Sequence, residues 1–440
     1  MSSDETLRRA SYGPNSPQIG RKGARTRQRI IDETLLLFED KGFHETLVDE
    51  IAERAGVSRA TLYQYFASKD EIFQELMEEC GAALQRVVRR LGPLGPTEQG
   101  FDNLHWWLGE WAWVFTKYAT MFAQWERVAT VSAGVRPQVE TFSDIYSHRV
   151  AKRLTDAGVT GVDLVDVGTI LLVAVHRFNY YRYRGAVPGL TDQQLLDGLA
   201  IHVQLALFPE TPAAVFGSID LDVGESVGVV SWPGPYTPEF PDRFAGLSVR
   251  ARGTVERLLG AACRVFGEYG YHMATVDDVV REAGVARGTF YKYFTDKSDA
   301  LSAIAEEAWG VLPPLVEEFA ALSPGDHGAL LEWMGRYDHT RVRYIGLLRV
   351  WLEDQPLDDQ VRAIGAEIGR RAGLAFATVL NVAERDHPFN TTTGVLLLHA
   401  LLERSLDGLT DETTPERRRE VVELLTWLIE RGLLNGHRQG

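Results

Sequence analysis

Cysteine is nearly missing from this 440-residue chain, which has two, Cys80 and Cys263. Two thiols cannot form a disulfide framework, and neither sits in a cluster with metal-ligand spacing. Cys263 lies on an apolar helical face and reads as a buried free thiol. No apolar run approaches the roughly 18 residues of a membrane span. The opening stretch MSSDETLRRASYGPNSPQIG has no apolar centre; it does not read as a secretory signal and predicts a flexible tail over 1–20. Together these absences lead us to expect a cytoplasmic protein without membrane contact. A glycine-rich phosphate loop after a strand is missing, as is any nucleophile with a base at its side. Neither an enzyme nor a bound cofactor or metal is therefore expected. Positive charge is short as well: 46 Lys and Arg against 61 Asp and Glu leave a net charge of −15.

What the chain does have is a repeat. Residues 42–69, GFHETLVDEIAERAGVSRATLYQYFASK, return at 270–297 as GYHMATVDDVVREAGVARGTFYKYFTDK without a gap, at a shift of 228 (284 − 56 for the paired Gly284 and Gly56). The duplication continues beyond this block. Trp107, Gly109, Tyr118 and Trp125 match Trp333, Gly335, Tyr344 and Trp351 at a shift of 226, as Gly168 and Ala174 match Gly394 and Ala400. A constant offset over such a length means that the whole unit is duplicated. Between the units, residues 209–247 are dense in proline and glycine and read as a tether with a short hairpin around Ile219 to Val230. Elsewhere the apolar residues recur at helical spacing, as with Ile31, Leu35 and Phe38, so the expected fold is all-α, a tandem duplication of a helix-turn-helix domain plus a helical bundle.

Within each repeated block the punctuation is that of a helix-turn-helix. A first helix from about Arg27 to Asp40 stops at Gly42; Thr46 opens a second that runs to about Ala55. Gly56 makes the tight turn, and Ser58 caps a third helix, Arg59 to Phe66. Ser68 with Glu71 forms a capping box on a fourth, with Asp296 and Asp299 in the second copy. Charge is then best read locally. The run from Arg21 to Arg29, which includes Arg25 and Arg27, contains no acid, and Arg243, Arg250, Arg252 and Arg257 lie ahead of the second block. A third helix of this kind enters the major groove by its N-terminal end. That assigns Arg59 and Arg287 to guanine or phosphate, and Thr61 and Thr289 to a base or phosphate. Tyr63, Tyr65, Tyr291 and Tyr293 offer hydroxyls to phosphate, although one tyrosine of each pair must instead pack the small core. Lys69 and Lys297 are expected on the DNA backbone.

The sequence of Gly-Phe/Tyr, Thr, Val-x-x-Ile/Val, Ala-Gly-Val, Arg-x-Thr, Tyr-x-Tyr-Phe and Lys resembles the TetR family of bacterial transcriptional regulators, twice over. The resemblance implies helical ligand-binding and dimerisation bodies behind each head, and release from an operator when a small molecule binds. The expected domains are heads at 21–75 and 248–303 and bodies at 76–208 and 304–435. Departures from the family pattern are informative. Helix 2 opens with Thr46-Leu47 in one copy and Ala274-Thr275 in the other, so Thr46 and Thr275 are the expected contacts there. Ser58 becomes Ala286, which removes a cap worth about 1 kcal/mol. Gln64, which can pair with adenine, becomes Lys292, which favours guanine or phosphate. The heads should therefore read unlike half-sites of an imperfect palindrome.

Trp107, Trp111, Tyr118, Phe122 and Trp125 share one helical face. Such a stripe is core more often than pocket; the functional alternative is a cavity formed by Trp111, Tyr118, Phe122, Trp125, His176 and Phe178 for a flat or apolar ligand. The corresponding face in the second half is thinner, which makes the first body the better candidate. The reading that follows is a DNA-binding regulator, a repressor released from double-stranded DNA by a small apolar or aromatic effector. Its two halves would pair within one chain through 191–208 and 415–434. That pairing would set the recognition helices roughly 34–36 Å apart. The competing reading is a DNA-organising or protein-interaction role without an inducer.

Overall fold

The computed structural model describes residues 20–434 apart from 44, 123–134, 188, 218, 220–235, 353–357, 384–387, 389 and 411, with backbone alone for 135–140. Residues 1–19 of the expected tail, Trp125 and all but Ile219 of the expected hairpin lie outside the described residues. Among the described residues every regular element is helical. No described helix is long and apolar enough to cross a membrane. The chain divides into two compact units, residues 1–89 with 111–142, and residues 90–110 with 143–440.

The first unit contains α1 (Arg21–Lys41), α2 (Val48–Arg54), α3 (Arg59–Tyr65) and α4 (Lys69–Arg89). It also holds the end of α5 (Glu98–Lys117) and the start of α6 (Val135–Asp156). Helix α1 begins at Arg21 rather than near Arg27, because nothing in Arg21 to Thr26 breaks a helix. It ends at Gly42, whose φ of 81° is accessible to glycine and strained for other residues. Ile30, Ile31, Leu37 and Phe38 are its buried stripe. Phe38, Phe43 and Phe73 form a tilted and edge-on ring cluster beneath the head, with centroids 5.2–6.1 Å apart.

The second unit continues through α7 (Leu164–Tyr183) and α8 (Asp192–Leu207) to a 3-10 turn (Ala213–Phe216). A second head follows: α9 (Val249–Tyr269), α10 (Val276–Ala283), α11 (Arg287–Tyr291) and α12 (Lys297–Trp309). Behind it come α13 (Leu312–Ala320), α14 (His327–Arg343), α15 (Ile345–Leu352), α16 (Asp359–Val382), α17 (Thr391–Arg404) and α18 (Pro415–Ile429), which ends in a π turn, Glu430–Leu434. Of the tether, Phe216 packs edge-on against Phe101, and Phe244 against Phe294 of the second head.

Helices α8 and α17 are apolar on every side, LLDGLAIHVQLAL and GVLLLHALL, so each must be covered on every side. α16 covers α17 from its own half, and the other half of the chain covers the rest: α7 lies along α17, α8 along α17 and the π turn, and α18 along α7 and α8. Interhelical approach is close where side chains are small. A methyl built on Gly198 would stand 2.6 Å from Thr393 Oγ1, and one on Gly432 would stand 2.9 Å from Ala206 Cβ. Charge crosses the same face. Arg177 Nε donates to Glu403 Oε2 at 2.7 Å, and both Arg417 Nη atoms donate to Asp166 at 2.6 Å. Burial works against the Glu403 carboxylate, but Arg177 outweighs it and holds its pKa at about 2. The face thus includes α7 and α17 in addition to the terminal segments picked out from the sequence.

The second head is not a separate core. Leu258, Cys263 and Phe266 of α9 are continuous with Leu347 and Val350 of α15 and Ile364 of α16. Gly346 makes this possible, since a methyl there would fall 2.1 Å from Cys263 O. Backbone cannot yield as a side-chain end can. Gly346→Ala is therefore expected to cost about 1–3 kcal/mol, the range for an overpacked core; a urea unfolding midpoint unchanged by the substitution would contradict the close approach.

Candidate nucleic-acid interface

Both heads present the third helix by the same devices. Gly56 and Gly284 turn the chain with φ of 62° and 64°. Leu62 and Phe290 anchor α3 and α11 from below, fully buried. In the first head Ser58 accepts from Thr61 N at 3.1 Å; in the second Ala286 leaves that cap unmade. The fourth helices are capped on both sides. Ser68 accepts from Glu71 N while Glu71 accepts from Ala67 N, and Asp296 with Asp299 repeats the arrangement. The outer faces of α3 and α11 are left exposed as a result.

On those faces one constellation occurs twice. Arg59 Nη1 donates to Asp49 Oδ2 at 3.0 Å, and its guanidinium lies 5.6 Å from the Tyr63 ring. Arg287 Nη1 donates to Asp277 Oδ2 at 3.1 Å and lies 5.7 Å from the Tyr291 ring. Each aspartate stands in the first turn of the second helix and holds the arginine across the helix-turn-helix angle. The side chains of Arg59, Asp49, Arg287 and Asp277 are 58–63% exposed, so these pairs are worth little as stability and exchange readily for another anion. Asp49 and Asp277 were not singled out from the sequence. The signal was there, because they are identical across the repeat at the same shift of 228 (277 − 49).

The tyrosines sort as the helix geometry requires. Tyr63 and Tyr291 are exposed at 41% and 48%, whereas Tyr65 and Tyr293 are half-buried, Tyr293 against the head's core. Thr61 and Thr289 are half-buried near the start of the helix, and Thr61 Oγ1 lies 2.8 Å from Ser58 Oγ. Lys292 and Gln64 are exposed at corresponding positions, and Arg25 is exposed on α1. No acid occupies the first turn of α1 or α9, where Arg21, Lys22, Arg250 and Arg252 crowd the positive end of the helix dipole. Cations there are unfavourable by a few tenths of a kcal/mol or more unless an anion faces them, at about 0.3–1 kcal/mol each.

Four positions differ from the sequence expectation. Thr46 is fully buried and donates to Gly42 O at 2.7 Å, so it does not open α2; Leu47 does, with Glu50 accepting from its N–H. Thr275, at the position of Leu47, does cap α10 and accepts from Asp278 N. Arg27 is 6% exposed, pairs with Glu75 and lies over the Phe66 ring, inside the head rather than on its surface. Lys69 donates to Phe43 O and Thr46 O at 2.7 and 3.1 Å. Lys297 donates to Tyr271 O, His272 O and Ala274 O at 2.8–3.0 Å, and burial lowers both ammonium pKa values. These lysines gather carbonyls at the turn between the first two helices and brace it. Arg252 is exposed and paired with Asp242, and Arg243 is spent on Asp299 and Glu306.

The aromatic candidates are divided between the two units. Trp111, Tyr118 and Phe122 belong to the first unit: Phe122 stacks on Trp111 and Phe115 at 6.0 and 4.8 Å, and Tyr118 donates to Glu79 at 2.6 Å. His176 and Phe178 are on α7 in the second unit; burial drops the His176 pKa to about 3, and Phe178 is buried. A cavity of about 360 Å³ does open in the second half, the one given less weight from the sequence. It lies among α13, α14, α15, α16 and α17, with Trp333, Tyr337, Trp351 and Phe376 as apolar walls. Tyr180, Tyr181 and the Arg177–Glu403 pair close one side. The Trp333 and Tyr337 rings stack at 5.3 Å, and their polar atoms are satisfied by Leu315 O and Leu402 O. Arg341, 2% exposed, donates to Asp338 and Leu409 O, while its Nε has no hydrogen-bond partner in the structure.

Two helix-turn-helix heads, each with an exposed Arg–Asp pair on its third helix, fit a DNA-binding regulator. A family model described as bacterial regulatory proteins, tetR family, matches residues 30–76 and again 258–308. The chain carries the DNA-binding domain of that family twice, in tandem. Among curated relatives it is 25% identical over 128 residues to the biofilm operon icaADBC HTH-type negative transcriptional regulator IcaR of Staphylococcus aureus (strain Newman), covering 29% of this chain and 68% of that protein. It is 46% identical over 54 residues to YvdT, an uncharacterized HTH-type transcriptional regulator of Bacillus subtilis (strain 168), covering 12% and 28%. A solved structure of the fatty acid degradation regulator FadR from Bacillus halodurans aligns over 41% of this chain and 97% of that chain at 19% identity, with a TM-score of 0.32.

The division between positioning and reading residues can be measured. Lys297→Ala is expected to lower folding stability by about 2 kcal/mol, the scale for lost charge-assisted hydrogen bonds. Arg287→Ala is expected to stay within about 0.5 kcal/mol of the parent, as for a surface substitution. Equal losses in urea titrations of the two variants would contradict the assignment.

Proposed function

We propose that the chain is a repressor that sets its two heads on the unlike halves of one imperfect inverted repeat and leaves the DNA when a small, largely apolar molecule occupies the second-half cavity. The observation that carries this reading is the Arg–Asp–Tyr constellation, present at the same place on both third helices. Near a duplex, Arg59 and Arg287 exchange a solvated aspartate for phosphate or for guanine, and Tyr63 and Tyr291 turn a hydroxyl to phosphate. Thr61, Thr289 and Ser58 supply short hydroxyl contacts near the helix start. Arg25 and Arg252 face the backbone from the first helices, as basic helix termini without acids favour. Gln64 against Lys292 makes the half-sites unlike.

The two halves of the chain act as the two subunits of a dimer, paired through α7, α8, α17 and α18, with residues 209–247 as the tether. Repression is supported by the relative IcaR, which is named a negative regulator. Release by a ligand is supported by the cavity, whose size falls in the range of small-molecule sites, about 300–1,000 Å³. Its wall α15 shares a core with α9, so a ligand that shifts α15 shifts the second head with it. The surface that the cavity exposes is mainly apolar, with aromatic walls, and favours a flat or apolar molecule.

The test is selection of binding sites from a random duplex pool, followed by ligand screening on the selected operator. An imperfect inverted repeat bound by one chain is expected; Arg59→Ala should weaken one half-site and Arg287→Ala the other, and affinity should fall steeply with salt. Enrichment of a lone half-site, or equal loss at both half-sites, would overturn the arrangement. Ala372→Trp, which fills the cavity, should leave operator binding unchanged and abolish the ligand response. An undiminished response would move the effector elsewhere, and no response from any compound would favour a regulator without an inducer.

A further inference from the structure

The duplication pairs the two bodies at a shift of 226 from Trp107 and Trp333 to Ala174 and Ala400. If a twofold axis relates the halves, a residue that touches its own equivalent must lie on that axis. One such contact lies beside the matched Ala174 and Ala400. Arg177 and Glu403 are equivalents (403 − 177 = 226) and bond at 2.7 Å, joining α7 to α17.

In a symmetric dimer of identical chains, a position on the axis faces itself. A buried charge there would meet a like charge. Only two diverged halves can put opposite charges at that point, and this chain does so. Arg177 is 5% exposed and lies 4.5 and 4.8 Å from the rings of Tyr180 and Tyr181. Glu403 accepts from Arg177 and from the Tyr181 hydroxyl, and His399 Nδ1 is 3.6 Å from it. The neighbours have diverged with the pair: the equivalents of Tyr181 and His399 are Asp407 and Val173. We propose that the Arg177–Glu403 pair makes this face accept only the unlike half of the chain as its partner and reject a like half. Pairing of like halves would set Arg177 against Arg177, or Glu403 against Glu403, and would link fused chains end to end into open assemblies. Buried ionic groups that fix pairing have this role elsewhere, at a cost in stability. A tether that raises the effective concentration of the correct half works in the same direction.

This inference rests on the proposed pairing of halves within one chain, and the test separates the two. In full-length Arg417→Lys protein, a carbodiimide should couple the lysine to Asp166 within a single chain, read by peptide mapping. No such coupling would sink the pairing itself. With coupling established, E403R and R177E are each expected to lose it, because like charges then meet at the axis. The double swap R177E/E403R should recover both the coupling and a one-chain mass by light scattering. Mixing the two single variants should give particles of twice the chain mass, since each then offers the charge that the other lacks. Singles that keep coupling and mass would overturn the charge rule. So would a double swap that remains as disrupted as the singles, because local geometry rather than charge sign would then govern the face.

Discussion

A helix that is apolar on every side has to be covered on every side, and α8 and α17 impose this requirement on the second unit. Each is covered in part by helices of the other half. Each Leu, Ile or Val of these helices gains about 1.5–3 kcal/mol when it leaves water, so burial of the face between the halves outweighs the cost of ordering the helices that form it. Small residues at Gly198 and Gly432 set how near the helices come. Within that apolar face the Arg177–Glu403 pair adds little net energy, because desolvation consumes most of its attraction; its contribution is to discriminate between partners.

The heads solve a different problem. A helix-turn-helix is small, and its reading helix is only five to seven residues long, too short to be stable alone. Position therefore comes from outside that helix: an apolar anchor at Leu62 or Phe290, a positive-φ glycine before it, and a lysine that gathers carbonyls beneath it. The lysine's cationic head replaces water for backbone groups that the turn leaves unpaired. With the frame fixed in this way, the exposed Arg–Asp pair can remain weak, and under our proposal that weakness lets the arginine leave its aspartate for DNA.

Asymmetry between the copies runs through the molecule. The Ser58 cap is lost at Ala286, Gln64 becomes Lys292, Arg177 becomes Glu403, and the described cavity lies in the second half. A regulator made of two separate identical chains cannot carry such differences, since every substitution appears twice. Fusion permits one half to specialise in ligand binding under our proposal, while the shared core of α9, α15 and α16 ties that half's cavity to its own head.

The repeat, the all-helical period, the glycine turns and the residues of the reading helices were all legible in the sequence, because each depends on local spacing or on identity between copies. The offset of 226 even paired Arg177 with Glu403 as equivalents. What the sequence did not decide was which side chains look outward. Arg27, Thr46, Lys69 and Lys297 have the composition of DNA contacts, yet they face into the heads, since their donors meet a buried carboxylate or orphan carbonyls contributed by distant residues. Asp49 and Asp277 became functional candidates only when the helix crossing angle brought them to the arginines. The cavity among α13 to α17, too, was invisible in the sequence, because its walls come from helices far apart in the chain. Chain chemistry determines which residues are available; tertiary packing decides which of them remain free to act.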